Sequence, residues 1–300
     1  MKISILVTTY KRPEHLKNCI DSLIKQSKKP DEIIIVSKEY DLETDNVFKS
    51  IINDDNKDIS IKYVKVKKTG IVVANNEGLK YVSGEILCFI DDDAVAMPGW
   101  LEKIDYWFSS NPSIGAVGGS EIVYNEDGSI IKGFTDVVGK ITWYGEAIGN
   151  FYLECNKKGY VDFLKGCNMS FRRNILEKCD EIIAGDSSYY ELDLCFLVKK
   201  KGFKIFFDNE LIVKHFYGPR YLPGGRNIYS RERVYWDCHN KVYVMMKNLH
   251  FLKKPVFIIY FFIFDSLKNF IKSILRGNSD IIKYNIAGKI GGLISFYRKK

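Results

Sequence analysis

Residues 3–8 read Ile3-Ser4-Ile5-Leu6-Val7-Thr8, and this stretch with its sequel decides the fold. An apolar run rich in Ile predicts a buried strand. Thr9-Tyr10-Lys11-Arg12 breaks the run, and Pro13 suits the first turn of a helix, where a missing N–H has no consequence. Leu16, Cys19, Ile20, Leu23 and Ile24 then recur at i, i+3, i+4, i+7 and i+8, the stripe of a helix with one covered face. Pro30 ends that segment, and Glu32-Ile33-Ile34-Ile35-Val36 predicts a second buried strand. Strand, helix and strand in this order imply a parallel pair joined by a crossover helix. The rhythm repeats outward, with a strand expected over 61–66, a helix over 71–83 and a strand over 86–90. The expected class is α/β, with a Rossmann-like, mostly parallel sheet flanked by helices. Ligands in such sheets bind beyond the carboxyl ends of the strands, so residues 8–12 and 91–93 are the loops to inspect.

Asp91-Asp92-Asp93 follows directly on Ile86-Leu87-Cys88-Phe89-Ile90. Three carboxylates at a strand end repel one another, and a divalent cation offsets that repulsion. Oxygen ligands suit Mg²⁺ or Mn²⁺ bridging a diphosphate. The plain alternative is a solvated acidic turn or the first turn of a helix. His215 closes a strand-like run, Leu211-Ile212-Val213, and a neutral imidazole there is a candidate metal ligand. The other three histidines, His15, His239 and His250, have no metal-ligand spacing.

The triplet lies inside an ordered series of motifs. Thr69-Gly70-Ile71-Val72-Val73-Ala74-Asn75-Asn76-Glu77-Gly78-Leu79 leads through Ser83-Gly84-Glu85 into the strand, and Pro98-Gly99-Trp100-Leu101 follows the acids. Gly166-Cys167-Asn168-Met169-Ser170-Phe171-Arg172-Arg173, Tyr190-Glu191-Leu192-Asp193-Leu194 and Val213-Lys214-His215 come later. The whole series, over roughly residues 3–215, resembles family 2 glycosyltransferases of the GT-A fold. The resemblance implies a metal-dependent, inverting transfer from a nucleotide-diphosphate sugar to a glycan, hydroxyl or lipid-phosphate acceptor, in the synthesis of cell-surface polysaccharide or another glycan. It assigns the donor to Thr8, Tyr10, Arg12, Asn76, Asp91, Asp92 and Asp93, the cation (Mn²⁺ or Mg²⁺) to Asp91, Asp93 and His215, the acceptor side to Gly166, Asn168 and Arg172, and the general base to Glu191. Asp186 is the alternative base. Three positions depart from the family pattern. Ser37 stands where an Asp is frequent, Asn75 where an Arg is common, and Tyr190 at the first position of the acidic motif.

The net charge of +8 is not evenly distributed. Residues 253–300 hold ten Lys and Arg against only Asp265 and Asp280, so the rest of the chain is neutral. A neutral main body argues against a nucleic-acid groove. The expected organisation is a GT-A domain over 1–250, with a nucleotide-sugar half to about 115 and an acceptor half from about 116, followed by a basic amphipathic helical tail over 251–300. The apolar run 255–264 is ten residues long, where a spanning helix needs about 20. Beyond it, Leu267, Phe270, Ile271, Ile274 and Leu275 fall at helical spacing beside Lys268 and Lys272, a pattern suited to a membrane surface. Packing on the catalytic domain or in a homodimer is the other use for that face. Seven scattered cysteines without a CxxC pair predict reduced thiols. With no signal-peptide pattern at the start, the expected location is the cytoplasm, peripherally on the inner membrane face. A nucleotidyltransferase is the nearest rival enzyme, but residues 8–13 lack the Gly-rich phosphate loop it needs. A catalytically inactive nucleotide-sugar-binding protein is the remaining alternative.

Overall fold

The computed structural model describes residues 1–53, 58–185, 189–218, 221, 230–275, 277 and 280–299, without the side chains of residues 52 and 53. Their contacts divide them into two units. The first comprises Met1–Lys140, Ile148–Cys179 and Leu194–Pro219, and the second Ile141–Ala147, Asp180–Asp193 and Arg220–Lys300.

The first unit opens with β1 (Ile3–Thr8), α1 (Pro13–Ile24), β2 (Glu32–Lys38), α2 (Leu42–Asn53), β3 (Ser60–Val66), α3 (Ile71–Leu79) and β4 (Ile86–Phe89). β5 (Ala94–Ala96), α4 (Trp100–Ser110) and β6 (Ile114–Tyr124) follow. Two short strands, β7 (Lys140–Ile141) and β8 (Ala147–Ile148), pair with each other. β9 (Lys158–Tyr160), β10 (Met169–Arg172), α5 (Tyr190–Lys200) and β11 (Lys204–Phe216) complete the sheet region. The order across the main sheet is β3-β2-β1-β4-β10-β6-β11-β5, with β9 also on β11. β1 runs parallel to β2 and β4, β2 to β3, and β6 to β11. β10 is antiparallel to both β4 and β6, and β5 and β9 are antiparallel to β11.

Alternation along β1 builds two layers. Ile3, Ile5 and Val7 join a core with Leu16, Cys19, Ile20 and Leu23 of α1 and with Trp100, Leu101, Ile104 and Phe108 of α4. Leu6 points to the opposite face and meets Gly78 of α3, where any Cβ would overlap Leu6. α3 stops at Leu79, four residues short of the expected end. The amides of Lys80 and Tyr81 tighten onto the carbonyls of Glu77 and Gly78 instead of continuing the helix. All seven cysteines are free and buried.

The second unit is mainly helical. Besides the start of α5 it holds α6 (Arg231–Asn248), α7 (Lys254–Ile259), one π-type turn (Tyr260–Asp265), α8 (Ser266–Leu275) and α9 (Ile281–Arg298). α9 lies against α6 through Gly288 and Gly292, where a Cβ would strike the backbone oxygens of Tyr235 and His239. Among the described residues, no helix is long and apolar enough to cross a membrane.

Candidate active site

The carboxyl ends of β1, β4 and β11 fall on one edge of the sheet. Asp93 is the junction there. Its Oδ1 lies 3.1 Å from Nε2 of His215, and its Oδ2 accepts from Arg12 Nη1 at 2.8 Å and from the Gly218 amide at 3.1 Å. The Phe216 amide also donates to the Asp93 carbonyl at 2.8 Å, which ties the end of β11 to the acidic loop. Arg12 Nη2 sits 2.6 Å from Asp92, a carboxylate with no exposed surface. Arg12, which the resemblance assigns to the donor, is thus held on the acidic triplet.

Burial and close negative charge set the protonation of this cluster. Asp92 is pushed up to about 7 by burial, against the pull of Arg12. Asp91 is raised by desolvation and by Asp93 beside it. Asp93 is held well below the usual carboxylate range, because its bonds to His215 and the charge of Arg12 outweigh its desolvation. Burial works against a charged imidazole at His215, yet the Cys167 sulfur and the Asp93 and Glu121 carboxylates raise it well above its ordinary value.

One atom from each of Asp91, Asp93 and His215 lies within 4.8 Å of the others. Two carboxylates and an imidazole are a donor set for Mn²⁺ or Mg²⁺, so the residues fit the cation that the sequence implies. Glu121 completes the arrangement. Its Oε2 lies 2.8 Å from His215 Nδ1 and orients the ring so that Nε2 faces Asp93. A carboxylate behind a ligating imidazole fixes its tautomer and raises its basicity. Sequence reasoning overlooked Glu121, although a lone acid inside the strand Ile114–Tyr124 was a signal. Cys167 stands next to it, with Sγ 3.3 Å from Glu121 Oε2.

The remaining donor-side candidates are Thr8, Tyr10 and Asn76. Thr8 ends β1, and Tyr10 follows on a loop where Lys38 Nζ lies 4.7 Å from its ring centroid. Lys11 adopts the left-handed conformation, with φ 53°, and donates its amide to Asp41 at 2.7 Å. Asp41 also accepts from the Thr44 amide at 3.2 Å, as a cap for α2. Four residues past Ser37, it is a buried carboxylate engaged by its own loop. Asn76 holds both backbone groups of Cys179, donating to its carbonyl at 3.0 Å and accepting from its amide at 2.6 Å.

The acceptor-side candidates occupy structural junctions. Gly166 and Asn168 frame a buried turn before β10. Both amide hydrogens of Asn168 are used, on the carbonyls of Ser120 and Leu211, and its oxygen accepts from Trp100 Nε1 at 2.9 Å. Arg172 reaches the carbonyls of Phe108, Asn111 and Ile114 and so covers the end of α4.

Glu191 belongs to the second unit, buried in the first turn of α5. Tyr189, two residues earlier, has φ 90°, an unusual conformation for an aromatic residue. Asp193 is held by Lys247 Nζ and Asn248 Nδ2, each at 2.7 Å. Lys247 also reaches Asp180 at 2.9 Å, and Tyr243 donates to the same carboxylate at 2.7 Å. Asp186 lies outside the described residues.

The fold is the GT-A fold seen in solved glycosyltransferases. Among solved structures, the chain resembles GalNAc-T7 bound to UDP, GalNAc and Mn²⁺, with a TM-score of 0.66 at 15% identity over 86% of this chain and 50% of that one. The mannosyltransferase PcManGT of Pyrobaculum calidifontis, solved with GDP-Man and Mn²⁺, has a TM-score of 0.59 at 12% identity over 97% of this chain and 87% of its own. Residues 4–180 match the glycosyl transferase family 2 model, and the chain belongs to that family. A curated relative, the glucosyl-dolichyl phosphate glucuronosyltransferase of Haloferax volcanii, is 26% identical over 185 residues, 58% of this chain. The match spans about half of that relative's length, 54%.

Proposed function

We propose that the protein transfers a sugar from a nucleotide-diphosphate sugar to a hydroxyl or lipid-phosphate acceptor, with inversion at the anomeric carbon, in polysaccharide or glycan synthesis. The observation that carries this reading is the convergence of Asp91, Asp93 and His215 within 4.8 Å in a family 2 chain. Asp91, Asp93 and His215 would hold Mn²⁺ or Mg²⁺, which when bound would supply positive charge for the departing diphosphate. Tyr10 offers a ring face to the nucleobase. Arg12 and Glu121 fix the orientations of the Asp92–Asp93 pair and of His215. Glu191 takes the proton of the attacking hydroxyl as the new glycosidic bond forms. The bond electrons leave with the nucleoside diphosphate, so no protein acid is needed.

Support for the donor and cation comes from the GT-A neighbours solved with Mn²⁺ and UDP or GDP-Man. The dolichyl phosphate in the Haloferax relative's name supports a lipid-linked acceptor. Such an acceptor agrees with reading residues 251–300 as a contact with the cytoplasmic face of a membrane.

Nucleoside diphosphate release from a panel of nucleotide sugars tests the reading. Asp93→Ala is expected to abolish Mn²⁺-dependent release, and normal turnover of this variant in EDTA rejects the cation. Glu191→Gln is expected to retain donor binding and lose rate by roughly a hundredfold or more. Near-normal turnover moves the base elsewhere, with Asp186 next in line.

A further inference from the structure

α8 is inside out. Leu267, Phe270, Ile271, Ile274 and Leu275 are between 46% and 81% exposed. The opposite side of the helix, which faces the protein, carries Ser266, Asn269 and the buried Ser273. An amphipathic helix of a water-soluble fold does the reverse.

The roll of this helix is locked. Lys289 of α9 is fully buried, and its ammonium group donates to the Phe261 carbonyl at 2.7 Å and to Asp265 and Ser266 at 2.8 Å each. Asn269 donates to the same Asp265 at 3.0 Å. Turning the apolar side inward breaks a buried ion pair and leaves a charge without its partners. The apolar face is therefore a fixed outer surface.

That surface continues beyond α8. Phe264, also exposed, precedes the helix and stacks with Tyr260, with ring centroids 6.3 Å apart. Tyr260 meets Tyr144 at 4.4 Å, and Tyr144 meets Trp143 edge-on at 5.6 Å. Trp143, on the turn between Thr142 and Glu146, is 68% exposed. Trp and Tyr with one apolar and one polar end favour the membrane interface.

We propose that α8 lies in the headgroup layer of an anionic lipid bilayer, with Leu267, Phe270, Ile271 and Ile274 entering the acyl boundary and Trp143 anchoring beside them. This rests on the reading of residues 251–300 as a membrane contact, and it names the face, the orientation and the lipid charge. Lys268 and Lys272 are exposed on one flank of the apolar side, where anionic headgroups meet them. Charge argues against a second copy as the occupant. The tail has ten basic residues and two acids. Asp265 is taken by Lys289, and Asp280 by Arg231 and Lys283. Two such tails would meet with like charge. A helix of ten residues is about 15 Å long, half of a bilayer core, so it lies on the membrane and does not span it.

The test is flotation of the full-length protein with phosphatidylcholine vesicles, with and without phosphatidylserine. Wild type is expected to float with the anionic vesicles and poorly with the neutral ones. Phe270→Glu with Ile274→Glu is expected to reduce vesicle binding at least tenfold at unchanged Tm. Ile290→Glu with Ile294→Glu, on the exposed stripe of α9, is expected to leave it intact. Should the α8 pair lower Tm, Lys268→Glu with Lys272→Glu replaces it and is expected to remove the preference for phosphatidylserine. Brominated lipids are expected to quench wild-type Trp fluorescence and to quench Trp143→Phe far less. Loss on the α9 pair alone overturns the assignment to α8 and leaves the membrane reading standing. Wild type floating with neither vesicle overturns both. A concentration-dependent dimer that the α8 pair dissolves identifies a second copy as the occupant and overturns the lipid.

Discussion

Asn168 joins three elements through one side chain: α4 at Trp100, β6 at Ser120 and β11 at Leu211. Asn168→Ala leaves an indole N–H and two carbonyls without their partner in a site closed to water. Urea unfolding is expected to show a loss of about 2–4 kcal/mol. The motif around Asn168 was legible in the sequence, but its partners stand 43 to 68 residues away, and no local pattern discloses them. Glu32 makes a second case. Its buried carboxylate accepts from Ser4 and Lys62 at 2.5 Å and from the Ser83 amide at 2.6 Å. Burial alone raises its pKa, but these bonds outweigh it and bring the group from 4.5 down to about 2. A depressed carboxylate stabilises the fold above its unfolded pKa, and that contribution disappears as the pH falls from about 4.5 toward 2. Acid titration of stability is expected to be steeper by up to about 3 kcal/mol in wild type than in Glu32→Gln.

Between elements, the α6–α9 contact depends on two glycines one helical turn apart. Gly292→Val places a branched side chain against the His239 carbonyl. The expected result is a loss of roughly 2 kcal/mol or more, with faster amide exchange along α9. Gly159→Ala, with nothing near its Cβ, is expected to be silent in the same assay. The strands and helices of the opening crossover were legible because period 2 and period 3.6 stand out where one face is covered. α6 was not, because its buried side includes His239, Asn240 and Lys241, which erase the apolar stripe. α2 was missed for a related reason, since among its described apolar side chains Val47, Phe48 and Ile51 are the ones that pack on the core. The four residues of β10 carry too little pattern to mark a strand, although their partners on both sides are core strands.

At the scale of the whole molecule, ligand binding and stability are linked. A ligand that binds only the folded state raises stability by mass action, about 2.7 kcal/mol at a hundred times Kd. UDP or GDP with Mn²⁺ is expected to raise Tm in a thermal-shift assay, and EDTA or Asp93→Ala to remove the rise. The sheet class and the acidic edge could be read from the sequence, since both rest on contiguous runs. The tie from Asp93 to His215 crosses 122 residues, and resemblance alone linked them. β10 has a further consequence, one of timing. β1 to β4 are complete by residue 89, and β6 by residue 124, but the strand that bridges β4 and β6 is made of residues 169–172. At a synthesis rate of about 5–20 residues per second, the ribosome needs several seconds to pass from β4 to β10. For that interval β4 presents an unpaired inner edge, and any nascent neighbour with a free strand can reach it. The cell must shelter this half-built sheet until its middle strand arrives.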